Sequence, residues 1–159
     1  MLLKLLPEDV SRYWPILKKG VEASMPPTPG SKPDRVNKIL EGLISGKLQC
    51  WLSYRSDKPE IIDAMGITGI VDDPIDGSRN LMAYCFYGFV KLSDRFWIEA
   101  FAALNKFGLA NRCFGLIGFT DHPKVVKMAK AYKGMVRDYV AVPFVQNLNT
   151  DGGTSDGRK

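Results

Sequence analysis

His122 is the only histidine of this 159-residue chain. An imidazole titrates near neutral pH, which makes His122 a candidate general base, although a residue just ahead of a helix also serves simply to begin it. Lys130 and Tyr132, near the end of the last helical pattern, read from their types as a surface cation and a core aromatic. The run Lys91-Leu92-Ser93-Asp94-Arg95 sets two cations, a hydroxyl and a carboxylate ahead of a helix, where Ser93 or Asp94 can act as N-cap. Asp72-Asp73-Pro74-Ile75-Asp76-Gly77-Ser78 is an acidic run that either attracts a cationic amine or makes a solvated hairpin turn. The three cysteines, Cys50, Cys85 and Cys113, are far apart, and no Cys-x-x-Cys occurs. With a single histidine this argues against a zinc site, and no metal is expected. Each cysteine falls in a strand pattern, where a buried free thiol is the common outcome.

Positioning these groups takes a folded scaffold, and the chain is long enough for one. At 159 residues with 45% apolar and 25% charged residues, it reads as one domain with a real core. No apolar run approaches the ~20 residues of a membrane span. The short apolar start meets Pro7-Glu8-Asp9 at once, unlike a signal peptide, so a cytoplasmic protein is expected. The formal net charge is +5, with most of the excess in residues 91–145. A basic pI near 9.1 permits nucleic-acid binding, but the cations alternate with acids and apolar residues, as on a solvated face.

Residues 2–6 read as a first strand. Pro7-Glu8-Asp9 opens a helix with Val10, Tyr13, Trp14, Leu17 and Val21 at helical spacing, interrupted by Pro15. The proline-rich stretch 25–30 is a loop. Ser31 and Asp34 form a capping-box-like pair before Val36, Ile39, Leu40, Leu43 and Ile44, an amphipathic stripe that Gly46 ends. Three strands follow as an antiparallel meander: 48–54, 61–71, with Gly66 and Gly69 as bulge points, and 81–90. A helix over 95–109 carries Phe96, Trp97, Ala100, Phe101, Leu104 and Phe107. The strand 114–120 is apolar at consecutive positions, so both faces are expected to be covered. Asp121 caps a last helix with Pro123 in its first turn. Residues 136–145 close as a strand, with Pro143 suited to an edge. The domain is expected to span 1–145, with a polar, glycine-rich disordered tail over 146–159.

This element order, strand–helix–helix–three strands–helix–strand–helix–strand, resembles the GNAT superfamily of N-acetyltransferases. The resemblance implies a mixed α/β fold with a mostly antiparallel central sheet, parallel fourth and fifth strands, and helices on both faces. Family members often read Asn-x-x-Ala-x-x-Leu-Tyr-x-x-x-Gly-Phe at the last helix. Here Gly134-Met135 takes the Gly-Phe place, Val126 the alanine place, Ala129 the leucine place and Lys130 the tyrosine place. The family turn Gln/Arg-x-x-Gly-x-Gly/Ala after the fourth strand is absent. Val90-Lys91-Leu92-Ser93-Asp94-Arg95-Phe96-Trp97 stands in its position, without glycine and with bulky aromatics.

The resemblance implies acetyl-CoA or another acyl-CoA as cosubstrate and an amine acceptor. Backbone N–H groups over Phe89, Val90 and Lys91 would polarise the thioester carbonyl, and Lys91, Ser93 and Arg95 would hold phosphates. Lys130 or Tyr132 would protonate the departing thiolate, with His122 beside the acyl entrance and Cys85 a minor candidate in the acyl site. The alternative is a catalytically inactive GNAT-like protein that binds a protein partner, or with less support nucleic acid. The Lys91–Trp97 turn separates these readings: an open slot favours the enzyme, and a slot filled by Phe96 or Trp97 favours the binder.

Overall fold

A computed structural model describes residues 2–26, 33–55, 57–58, 60–120 and 122–137. Strand β1 (Leu2–Leu5) leads through a single 3-10 turn (Pro7–Asp9) into helix α1 (Val10–Ser24). Helix α2 (Arg35–Ile44) and strands β2 (Leu48–Tyr54), β3 (Ile62–Asp72) and β4 (Arg79–Gly88) follow. Helix α3 (Asp94–Ala110), strand β5 (Gly115–Gly118) and helix α4 (Pro123–Ala131) complete the described elements. The strands form one sheet in chain order. Every pairing is antiparallel except β4 with β5, which is parallel.

Strand alternation divides the core between two faces. Cys50, Leu52, Met65 and Ile67 point to one side, where Val10, Leu17 and Val21 of α1 and Ile39 and Leu43 of α2 bury them. Leu2 and Trp51 point to the other side, under Ala100, Leu104 and Phe107 of α3. The Trp51 indole N–H donates to Thr68 Oγ1 at 2.8 Å, so this buried polar pair is satisfied within the sheet. The helix pattern through Pro15 holds without a break, because α1 runs past it to Ser24. Gly46 ends α2 as expected: its φ of +73° is the left-handed conformation of a residue just past a helix end.

Four expectations change. The bulge does not sit at Gly66 or Gly69. It lies between them, where Ile67 pairs with Cys85 and Thr68 with Ala83, so the extra residue is Tyr84 of β4. The glycines make room instead, since a Cβ on Gly69 would come 2.9 Å from Tyr84 Cε2 and one on Gly66 3.1 Å from Phe86 Cδ2. Strand β4 ends at Gly88 rather than at residue 90, as the chain turns away after one last bond from Phe89 N to Asp63 O. Strand β5 is four residues long and exposed throughout, so its faces are not covered among the described residues. The cap of α4 is His122, whose Nδ1 accepts from Lys124 N at 3.3 Å. Ser31, Asp121, most of the strand expected over 136–145 and the tail over 146–159 lie outside the described residues. Val136 and Arg137 stand outside regular structure.

Candidate functional site

The parallel β4–β5 ladder runs from Asn80–Gly115 to Ala83–Gly118 and stops there. Strand β4 continues through Tyr84, Cys85, Phe86, Tyr87 and Gly88 with no partner on that side among the described residues. The Tyr84 bulge lies at the point of parting and bends β4 away from β5. Phe89 N donates to Asp63 O at 2.9 Å, so Phe89 and Tyr87 face β3. Strand alternation then turns the N–H groups of Phe86 and Gly88 towards the vacated edge. The Phe89 amide, expected to polarise a carbonyl, is therefore committed to the sheet. The Val90 and Lys91 amides make no backbone hydrogen bond among the described residues. The resemblance placed these donors in the loop; bulges leave no compositional mark, and the outward-facing pair depends on where Tyr84 is inserted.

At the start of α3, Ser93 Oγ accepts from Phe96 N at 3.2 Å and is the N-cap. Asp94 occupies the first turn and accepts from Lys124 Nζ at 2.7 Å, tying α3 to α4. That ammonium, by hydrogen bond and charge, holds the Asp94 carboxyl below its ordinary pKa. Arg95 Nε donates to Glu99 Oε1 at 2.8 Å, leaving most of the Arg95 side chain in solvent. Lys91 is exposed. The structure thus gathers Lys91, Ser93 and Arg95 at one helix start, but places the Asp94 carboxylate among them.

Aromatic rings fill the space between β4 and the start of α4. Phe86 lies 4.9 Å from Trp97 and 5.9 Å from Phe96, centroid to centroid. Trp97 in turn lies 5.7 Å from the His122 ring. With His122 Nδ1 accepting the Lys124 N–H, the ring proton belongs on Nε2, and proton abstraction by His122 competes with capping. Lys130 and Tyr132 stand elsewhere. They lie eight and ten residues after His122, about 12 and 15 Å along α4 at 1.5 Å per residue. Lys130 is exposed, and the Tyr132 ring stacks on Phe101 at 4.2 Å.

Other candidates are accounted for structurally. Asp63 Oδ1 accepts from Arg55 Nε and Nη2 at 3.1 and 2.9 Å. The acidic loop is a self-satisfied turn: Asp73 Oδ1 accepts from Ile75 N, Asp76 Oδ1 from Ser78 N, and Asp72 pairs with Arg79. It sits at the beginning of β4, before the strands part. Burial pushes the Cys85 thiol up to about 11, so the nucleophilic thiolate is suppressed. A cavity of about 250 Å³ lies across the sheet at the β1–β2 edge, lined by Leu5, Leu43, Leu48, Gln49, Phe107 and Asn111 among others. It brings none of the expected site residues together. No group of three or more His, Cys, Asp or Glu residues is placed to hold a metal among the described residues. No described helix is long and apolar enough to cross a membrane.

No family model matches the sequence, and no curated protein matches it. Solved structures do match in fold. A probable acetyltransferase superposes with a TM-score of 0.64 at 12% identity, covering 92% of this chain and 99% of that one. A predicted acetyltransferase from Clostridium acetobutylicum, solved with acetyl-CoA, gives 0.63 at 13% identity over 89% and 94%. An aminoglycoside acetyltransferase from an uncultured soil metagenomic sample, in complex with sisomicin, gives 0.62 at 13% identity over 93% and 95%. The chain has the mixed α/β fold of GNAT acetyltransferases.

Proposed function

We propose that the protein is an N-acyltransferase that moves an acetyl or other acyl group from acyl-CoA to an amine. The observation that carries this is the parting of β4 and β5 beside the Tyr84 bulge, which leaves outward N–H groups at Phe86 and Gly88 along an open strand edge. An amine attacking a thioester carbonyl places negative charge on the carbonyl oxygen, and preorganised backbone donors stabilise that charge. Phe86 and Gly88 supply such donors, with Val90 and Lys91 beyond them. Lys91, Ser93 and Arg95 offer charge and a hydroxyl to the phosphates. Of the three proton carriers, His122 is the one beside the parted strands. Lys130 and Tyr132 reach the thiolate only if the donor extends along α4.

A second reading is favoured by one specific observation. Trp97 lies between Phe86 and His122, and Asp94 already pairs with Lys124 where phosphates would approach. A scaffold with this slot filled would act by binding a protein partner. Titration calorimetry with acetyl-CoA, repeated with CoA, separates the two. Binding with a dissociation constant below millimolar supports the acyltransferase. No heat and no thermal stabilisation at millimolar ligand overturns it in favour of the binder.

A further inference from the structure

Residues 122–137 contain five cations and no acid: Lys124, Lys127, Lys130, Lys133 and Arg137, bounded in sequence by Asp121 and Asp138. All five are exposed. The three on α4 recur every third residue, so they lie within about 120° of its circumference and form a stripe roughly 9 Å long. Lys133 and Arg137 continue the charge beyond the helix end. The one ion pair made by these five among the described residues is Lys124 with Asp94. Tyr132 and Met135 are exposed within the same stretch, and Met135 is 82% exposed. An exposed aromatic, a methionine and an arginine are residue types that protein interfaces favour, and the lysines around them would steer an acidic partner.

The mouth of the slot is mixed, with the Asp94 carboxylate set among Lys91, Ser93 and Arg95. Asp94 stands at the start of α3 and neutralises Lys124, the stripe's nearest cation. CoA would bring a pyrophosphate and a 3′-phosphate to that carboxylate. A pantetheine arm attached to a protein brings one phosphodiester, and the remaining negative charge belongs to the carrier's own surface. Resting on the acyltransferase reading above, we propose that the preferred acyl donor is a thioester on the phosphopantetheine arm of an acidic carrier protein. The carrier docks on the α4 lysine face, and free acyl-CoA is the weaker donor. The acceptor amine attacks the thioester carbonyl, the C–S bond breaks, and the arm's sulfur leaves as thiolate. It takes up the proton that the amine loses, giving an amide and a free carrier thiol with no other reactant.

The test measures binding of the whole protein to a bacterial acyl carrier protein bearing an acetylated arm and, in parallel, to acetyl-CoA. Both are repeated with a Lys127→Glu, Lys133→Glu double variant and across a salt series. The expected result is carrier binding at least tenfold tighter than acetyl-CoA. It should fall at least tenfold in the double variant and steeply with salt, while acetyl-CoA binding changes less than twofold. Acetyl-CoA binding as tightly as the carrier overturns the inference and leaves the acyltransferase reading standing. So does an equal loss of both ligands in the double variant, because the lysines then serve CoA phosphates. Tighter binding of a short DNA duplex than of the carrier, abolished by the same substitutions, also overturns it in favour of a nucleic-acid face. Binding of neither donor overturns the inference and the acyltransferase reading together.

Discussion

The Trp97 indole lies 5.7 Å from the His122 imidazole, centroid to centroid, and so joins the first turn of α3 to the N-cap of α4. The same indole contacts Phe86, on the part of β4 beyond its last rung with β5. One side chain therefore bridges the two walls that separate when β4 and β5 part. The bridge bears on both proposed readings, because any arm entering between the walls must displace Trp97 or pass beside it.

Trp97→Ala removes the bridge. Acetyl-CoA affinity, measured by calorimetry, should rise by about tenfold if the indole competes with the arm. A drop in affinity would mean that Trp97 is part of the binding wall. The variant should also lose about 2–3 kcal/mol of stability, less than the ~3–5 kcal/mol of a fully buried aromatic because Trp97 is only half-buried. Urea unfolding measures that loss separately from ligand affinity.

Asp94, Asp72, Asp76 and Glu99 all hold their carboxyls below the ordinary value. The causes are Lys124, Arg79, the Ser78 N–H and Arg95, in that order. A carboxyl depressed in the folded state adds stability that is present above its unfolded pKa of about 4 and is lost as pH falls through its folded value. The melting temperature should therefore fall as pH drops below about 4. Asp94→Asn should flatten that acid limb, and salt should flatten it further, since these pairs are exposed. An acid limb identical in Asp94→Asn would show that the Lys124 pair adds nothing in solution.

Element order was legible because each element rests on a local pattern: the amphipathic stripe of α2, the alternation in β2, and the apolar run around Leu116. The parallel β4–β5 pair came with the resemblance, because no local pattern gives strand direction. The site was legible in part. Ser93 followed from capping preference, which acts over three residues. The donors at Phe86 and Gly88 were not legible, since they depend on the Tyr84 bulge, and one inserted residue changes which amides face outward. Nor could spacing show that Asp94 pairs with Lys124, thirty residues away. The expectation that β5 is covered on both faces is not met among the described residues, since apolar composition reports affinity for a partner and does not identify one.

Burial raises the Cys50 thiol to about 12 and the Cys85 thiol to about 11. In the unfolded chain both ionise near the ordinary value of about 8.5. A raised folded pKa adds stability that is full below the unfolded value and is lost as pH rises through the folded one. Stability should thus decline between about pH 8.5 and 12. At pH 8 the native protein should resist iodoacetamide at both residues, and full reactivity should appear only in denaturant. Rapid modification of native Cys85 would reopen its candidacy in the acyl site.

Gly118 is the last residue of β5 and pairs with Ala83, the last rung before the strands part. A Cβ there would lie 3.2 Å from the Ala83 carbonyl oxygen and 3.3 Å from Ala83 Cβ. Backbone and a stub side chain cannot swing aside as the end of a long side chain can. Gly118→Val should therefore push β5 off β4 at this rung and cost about 1–3 kcal/mol, in the range of overpacking. Gly115→Val tests whether the effect belongs to the rung. Its nearest neighbour is the Asn80 side-chain oxygen at 3.5 Å, an ordinary contact, so its cost should be smaller. Hydrogen exchange should show faster opening of the Met82 and Ala83 amides in Gly118→Val alone. Equal destabilisation by the two variants would mean that the parting of the strands does not depend on Gly118.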